Sequence, residues 1–289
     1  MTGRRVLWCG LAGLWLSAGL LQAQPRMFSS QFVTNVLQPV AQGQPAWLDS
    51  WLAVGMALWQ RDTALANTGA LLVQLLIGVL LLTGWRRPWG RLGLGLSILW
   101  GLGVWVFGEG LGMLAMGAPT VMSGAPGSVL VYVISAGLLL LPERWWASGA
   151  VTHWTRRGLG AYWLLGALAQ AWPGSGYWTA QGLRGVFRSA AGAPQPAALS
   201  GPITAVAVAT ARAPVLWNGA FVLVMLLIGV ALLSGVRAWW VWGVSAVWLC
   251  FCWWMGQDFG AVFSGVSTDP NTAVPLGLLS LALALPGVM

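Results

Sequence analysis

Long apolar stretches alternate with short clusters of charge along the whole chain. Uncharged intervals run from Arg5 to Arg26, Asp62 to Arg86, Arg91 to Glu109, Arg157 to Arg184, Arg212 to Arg237 and Arg237 to Asp258. A further one, starting near Pro126, lies before Glu143, and the last follows Asp269. A hydrocarbon core of about 30 Å takes roughly 20 mostly apolar residues per helix. The pattern therefore predicts an all-α polytopic transmembrane helix bundle with spans at about 6–24, 66–84, 91–109, 126–142, 158–173, 214–234, 238–257 and 272–287. Two weaker apolar stretches, Trp51 to Trp59 and Ile203 to Ala211, sit in the long connections 25–65 and 174–213. At about 10 residues they are too short to span and are expected to lie at the interface or fold back as outer lids.

The polar residues inside this pattern repeat. Trp15-Leu16, Gln22 and Pro25 recur 148 residues later as Trp163-Leu164, Gln170 and Pro173. Gln44-Pro45, Asn67 and Leu75-Leu76-Ile77-Gly78-Val79 recur at an offset of 151, as Gln195-Pro196, Asn218 and Leu226-Leu227-Ile228-Gly229-Val230. Chance apolar similarity would not keep Pro, Gln, Asn and Trp in order, so the chain is expected to be a tandem repeat, 1–148 and 149–289. Four helices per copy is an even number, which makes the two repeats parallel, entering the membrane from the same side. The stretch 6–24 has a mid-chain copy, so it is expected to be a retained span rather than a cleaved signal.

Charge sets the orientation. Alternating sides puts Arg4, Arg5, Arg86, Arg87, Arg91, Arg144, Arg156, Arg157 and Arg237 with the N-terminus, opposed there only by Glu143. On the other side Arg26, Arg61, Arg184, Arg188 and Arg212 meet Asp49, Asp62, Glu109, Asp258 and Asp269. Positive charge collects on the cytoplasmic side, so both termini are expected there, in a bacterial inner membrane. The formal charge of +8 is explained in this way, without nucleic acid. Trp85, Trp89, Trp145, Trp146, Trp172, Trp178, Trp217, Trp239 and Trp240 fall near expected helix ends, as interfacial anchors do.

Composition narrows the chemistry. There is no Lys, which removes Schiff-base chemistry and phosphate-loop chemistry, and one His, His153. Haem and catalytic zinc draw on several His or Cys ligands. Cys9, Cys250 and Cys252 lie in apolar runs, with the last two on different helix faces. No cofactor, metal site or catalytic residue is expected.

Candidate sites come from the polar exceptions. Trp105-Val106-Phe107-Gly108-Glu109-Gly110-Leu111-Gly112 is matched by Trp253-Trp254-Met255-Gly256-Gln257-Asp258-Phe259-Gly260, with one carboxylate in each copy, displaced by one residue. Glu109, Gln257, Asp258 and Asp269 form a candidate ionisable site at the outer mouth. Two roles are open: handling a proton or cation, or binding loop N–H groups to fix the entry of the next helix. Gly108 with Gly112, and Gly256 with Gly260, are spaced for close helix packing. Gln74, in mid-span, either bonds across helices or contacts a ligand.

The segments Leu21-Gln22-Ala23-Gln24-Pro25-Arg26-Met27-Phe28, Gly43-Gln44-Pro45, Leu75-Leu76-Ile77-Gly78, Gly108-Glu109-Gly110-Leu111-Gly112 and Ser123-Gly124-Ala125-Pro126-Gly127 resemble a family of uncharacterised bacterial polytopic membrane proteins, which brings no activity with it. More distantly, Ile77-Gly78 and Gly84 followed by Arg86-Arg87 are similar to DoxX-like proteins, some of which are accessory membrane subunits of sulfur or quinone oxidoreductases. The acidic residue such units often carry four before this glycine is here Gln74, and Met225 in the second copy. With no ligand cluster, no nucleophile paired to a base and no phosphate loop, the expectation is a non-catalytic, DoxX-like accessory or scaffold subunit of the bilayer that binds a membrane protein partner or a lipophilic molecule between its halves. The alternative is a small-solute or proton-coupled transporter using Glu109 and Asp258.

Overall fold

A computed structural model of the chain describes residues 2–236 and 238–285. Arg237, assigned above to the N-terminal side, and the end of the expected 272–287 span lie outside the described residues. Among the described residues all regular structure is helical. The first half contains α1 (Gly3–Gln22), α2 (Ser30–Phe32), α3 (Gln38–Ala41), α4 (Ala46–Arg61), α5 (Thr63–Thr83), α6 (Pro88–Phe107) and α7 (Ser128–Leu140). After a short α8 (Glu143–Ala147), the second contains α9 (Ala150–Ala171), α10 (Ala180–Ala191), α11 (Ala197–Arg212), α12 (Pro214–Leu233), α13 (Trp239–Phe251) and α14 (Ala273–Ala284). A π turn, Val33–Leu37, joins α2 to α3, and another, Cys252–Gly256, continues α13.

Local chemistry explains the boundaries. Asp62 Oδ1 accepts from the Leu65 N–H (2.9 Å), starting α5 with Asp62 alone between it and the end of α4. Pro88 and Pro214 open α6 and α12, where a missing N–H costs nothing. Three helices, α5, α6 and α12, are long and apolar enough to cross a membrane. They turn large side chains outward, including Leu65, Leu72, Leu99, Leu216 and Leu227, a surface that suits lipid and not water.

The helices differ from the sequence expectation in three ways. α9 begins at Ala150, eight residues before the expected start at 158, and takes Arg156 and Arg157 into the helix. α7 and α14 have 13 and 12 residues, about 20 and 18 Å of rise, against the 30 Å of hydrocarbon. Loop backbone occupies the positions in front of each. The connections 25–65 and 174–213 are also far more helical than expected. α4 and α11 are 16 residues long, and α10 is an amphipathic helix that buries Leu183, Phe187 and Ala190 while exposing Arg184 and Arg188.

α1 lies along α5, and α9 along α12, as the two most extensive helix pairs. Glycine permits the approach: a Cβ on Gly78 would sit 2.6 Å from Leu16 Cγ, and one on Gly229 2.7 Å from Leu164 Cδ2. Each pair is closed by a buried amide clasp. Gln22 Nε2–H donates to Asn67 Oδ1, and Asn67 Nδ2–H returns to the Gln22 carbonyl at 3.0 Å. In the other pair Gln170 Nε2–H donates to Asn218 Oδ1 at 2.7 Å, and Asn218 Nδ2–H to the Gln170 carbonyl at 3.3 Å. α14 packs on α1, α7, α9 and α13, so the last helix joins both halves.

Asn67→Leu and Asn218→Leu should each destabilise the detergent-solubilised protein by about 0.6–2 kcal/mol, the range spanned by interhelical polar contacts in a membrane protein and in model peptides. A Gln22/Asn67 double-mutant cycle followed by thermal unfolding checks this, and additive single effects would show that the clasp contributes nothing.

Candidate functional site

Beyond Phe107 the backbone runs left-handed. Gly110, Leu111, Gly112 and Met113 have φ between 54° and 62°, and Asp258, Phe259, Gly260 and Ala261 do the same after α13 with φ between 47° and 72°. Each non-glycine residue there costs roughly 1–2 kcal/mol, so the surroundings must hold the turn. Trp105 Nε1–H donates to the Pro126 carbonyl at 2.8 Å, and Trp253 Nε1–H to the Pro270 carbonyl at 2.8 Å. Gly112 lies against the Pro126 carbonyl, and Gly260 against the backbone of Asp269 and Pro270, with no room for a Cβ in either place.

This turn delivers Glu109 to the start of α7. Its Oε1 accepts from the N–H groups of Ser128 (3.0 Å) and Val129 (3.2 Å), two of the donors a helix N-terminus leaves free. Ser128 Oγ is 2.7 Å from the same oxygen and 2.7 Å from Asp269 Oδ1, which also accepts from the Asn271 N–H at 2.7 Å. An acid from each half therefore meets at one hydroxyl. A serine hydroxyl has a single proton and can donate to one of them only. The other contact needs a proton on a carboxyl, so the pair holds at least one while both contacts persist. The carboxyls lie in the loops, outside the spanning helices. Burial, and then the charge of Asp269, raise the Glu109 pKa to about 8, and burial raises that of Asp269.

In the second half an amide takes the equivalent place. Gln257 Oε1 accepts from the Ala273 N–H (3.0 Å) at the start of α14, and its Nε2–H donates to the Val121 carbonyl (3.2 Å). Thr272 Oγ1–H donates across to the Gly124 carbonyl at 2.5 Å, as Ser128 reaches across to Asp269. Asp258 does not join the acid pair. It lies in the left-handed turn beside Gln195, with its pKa raised to about 6 by burial. Of the sequence candidates, the structure brings together Glu109 and Asp269, and keeps Asp258 apart. Among the packing glycines, Gly256 closes on the backbone of Met122, and Gly112 and Gly260 close on loops. The close approach is thus between loop and helix end and not between two spans. Gly108 meets only its own helix around Val104.

Glu109 and Asp269 also line two cavities. One, of about 460 Å³, lies among Gly112, Met116, Thr120, Gly124 and Asn271. The other, of about 410 Å³, is bounded by the Phe32 to Leu37 turn, α4, α5 and α6. Its wall is largely apolar, and it carries Gln74, Trp59 and Trp100. Gln74 is buried and makes no hydrogen bond among the described residues, and the two indole N–H groups are closed off without an acceptor. Sequence reasoning singled out Gln74 but missed Ser128, Trp59 and Trp100, which carry no signal until the fold brings them to the acids or the cavity. The described residues hold no group of three or more His, Cys, Asp or Glu positioned for a metal. No family model, curated protein or solved structure matches the chain.

Glu109→Gln keeps an acceptor for the two N–H groups, as Gln257 does, and removes the titrating carboxyl. A raised carboxyl pKa gives stability that is full below the unfolded value near 4.3 and is lost as pH rises toward the folded value. Thermal stability of the unaltered protein should therefore fall between about pH 5 and 8, with a slope near 1.4 kcal/mol per pH unit per proton, and flatten above. Glu109→Gln should remove most of that slope, and parallel pH profiles for the two proteins would show that no proton is shared there.

Proposed function

We propose that the chain is a non-catalytic integral membrane protein that holds a lipophilic molecule in the apolar cavity under α4, serving as an accessory or scaffold subunit of the DoxX-like kind. In this reading α1, α5, α6, α7, α9, α12, α13 and α14 are the eight crossings. They form two parallel four-helix repeats in a bacterial inner membrane, with both ends of the chain cytoplasmic. Support comes from contacts that occur twice: the Gln–Asn clasps, the Trp-to-Pro carbonyl bonds and the left-handed turns. The short α7 and α14 rise about 20 and 18 Å, and the bilayer thins locally to meet them, so that the loops before them stay at its surface.

The observation that carries the ligand reading is Gln74. A mid-helix amide surrounded by apolar side chains would ordinarily bond to a neighbouring helix. Here it lines a cavity together with Trp59 and Trp100; its Oε1 lacks a donor and their indole N–H groups lack acceptors, an arrangement suited to an apolar molecule bearing both a hydroxyl donor and oxygen acceptors. Exposed Val54, Leu58 and Phe107 also line the cavity, offering entry from the lipid side.

Gly103 lines the cavity, and a Cβ there meets nothing within 4 Å; Gly95, on the same helix, is equally open but lies elsewhere. Protein purified in mild detergent should carry a stoichiometric lipophilic compound by mass spectrometry. Gly103→Leu should lose most of it, and Gly95→Leu should retain it. Equal content in all three proteins, or none in the unaltered one, would defeat the ligand reading.

The shared proton favours proton-coupled transport as the second reading, with Glu109 paired to Asp269 in place of Asp258. Proteoliposomes should then show proton or solute flux that Glu109→Gln with Asp269→Asn abolishes, and flux unchanged in that double variant would end it. The topology has its own check. In a chain with Cys9, Cys250 and Cys252 replaced by Ala, Cys at exposed Ser148 should label from the cytoplasmic side only, and Cys at exposed Ser50 from the outer side only.

A further inference from the structure

At the end of α6 away from Glu109, a cavity of about 770 Å³ opens between the starts of α1 and α6 and the end of α7. It arises because α7 stops at Leu140 and the chain leaves it in extended form at Leu141. Four arginines line it, Arg4, Arg86, Arg87 and Arg91, against one carboxylate, Glu143. That carboxylate is exposed and already divided between two of them, 3.8 Å from Arg4 and 3.5 Å from Arg86. The Arg4 side chain is 22% exposed and donates to the Leu139 carbonyl at 3.4 Å. Its Nε is sealed from solvent without an acceptor, and it feels the like charges of Arg86 and Arg91. Arg87 stacks over Trp89, and Arg91 has no ion pair among the described residues.

Arginine on a cytoplasmic face is expected from membrane orientation alone, which needs only exposed loop charges. Orientation does not call for four guanidinium groups around one concavity, nor for Arg86 in a left-handed conformation with φ 62°. On the proposed duplication, Thr152, Ala238 and Trp239 stand in the second half where Arg4, Arg87 and Arg91 stand in the first. The cluster is therefore particular to one end of one half.

We propose that this cavity is a binding site for a phosphate-bearing anion, supplied by an anionic phospholipid headgroup of the adjoining leaflet or by phosphate in solution. Guanidinium forks match pairs of phosphate oxygens, and an anion here would supply the missing counter-charge. Trp8, Leu94 and Leu140 add apolar wall beside the charges, which a lipid headgroup and its glycerol would cover.

The test uses the full chain in zwitterionic micelles, with thermal unfolding measured after adding phosphatidylglycerol, phosphatidylcholine or inorganic phosphate. Phosphatidylglycerol should raise the melting temperature several degrees more than phosphatidylcholine does. Arg87→Gln with Arg91→Gln, both at exposed positions where only the Arg87 stack on Trp89 is lost, should remove at least half of that difference. Arg144→Gln with Arg157→Gln removes the same charge outside the cavity and should keep it. Stabilisation by low-millimolar inorganic phosphate, lost in the cavity variant, would support the site and assign the soluble source. No preference for either phosphate-bearing anion, or an equal loss in both double variants, would overturn the proposal.

Discussion

One hydroxyl with one proton, placed between two carboxyls, constrains the end of the molecule where α6 stops and α7 begins. Ser128 is the first residue of α7, Glu109 ends the approach from α6, and Asp269 arrives from the loop before α14. Two carboxylates at that spacing and in such poor hydration would repel strongly, so the site exists only with a proton retained. Glu109 cannot simply turn away, because its other contacts cap α7, and Asp269 is held by the Asn271 N–H. The left-handed turns that set these acids in place are themselves costly, and the Trp105 and Trp253 indoles that pin the facing loops help to offset the cost.

What the sequence made legible follows from which forces act locally. Apolar runs of twenty residues bounded by charge mark α5, α6 and α12 because lipid demands that length, and all three lie close to their expected bounds. Gln22, Asn67, Gln170 and Asn218 stood out as polar residues recurring in order, and they are the residues that form the two clasps. α10 escaped notice because an amphipathic helix with Arg184 and Arg188 on its outer side has low overall hydrophobicity, although Leu183, Phe187 and Ala190 at spacings of four and three carried the signal. The packing role assigned to Gly112 and Gly260 presumed helix. Positive φ cannot be told from helical glycine by spacing, and these glycines serve turns that meet loops.

The acid pair was only half visible for a different reason. Glu109 and Asp258 looked like partners because each falls in the same motif, one residue apart in register. Displacement by one residue after a helix end moves a side chain to another wall: position 257 reaches the next helix, whereas 258 turns toward Gln195. Asp269 had no marked counterpart in the first half, so nothing local tied it to Ser128, 141 residues away. Pairing of that range is settled by how the loops interlock and not by pattern within either one.

The two halves differ where chemistry is concentrated and agree where packing is. The amide clasps and the tryptophan-to-carbonyl bonds occur in both, and each does the same mechanical work of joining helices or pinning a loop. An acid caps α7 but an amide caps α14, and Gln74 lines a cavity where Met225 fills the core in the other half. An amide at 257 satisfies the same N–H group as a carboxylate would, so holding the loop requires no charge there. Holding a loop therefore cannot by itself account for Glu109, since the neutral residue performs that task a second time within the same chain. A buried carboxyl gives up hydration that an amide loses at lower cost. A carboxyl at 109 differs from the amide at 257 in what it can share with Ser128 and Asp269, which is a proton as well as an acceptor.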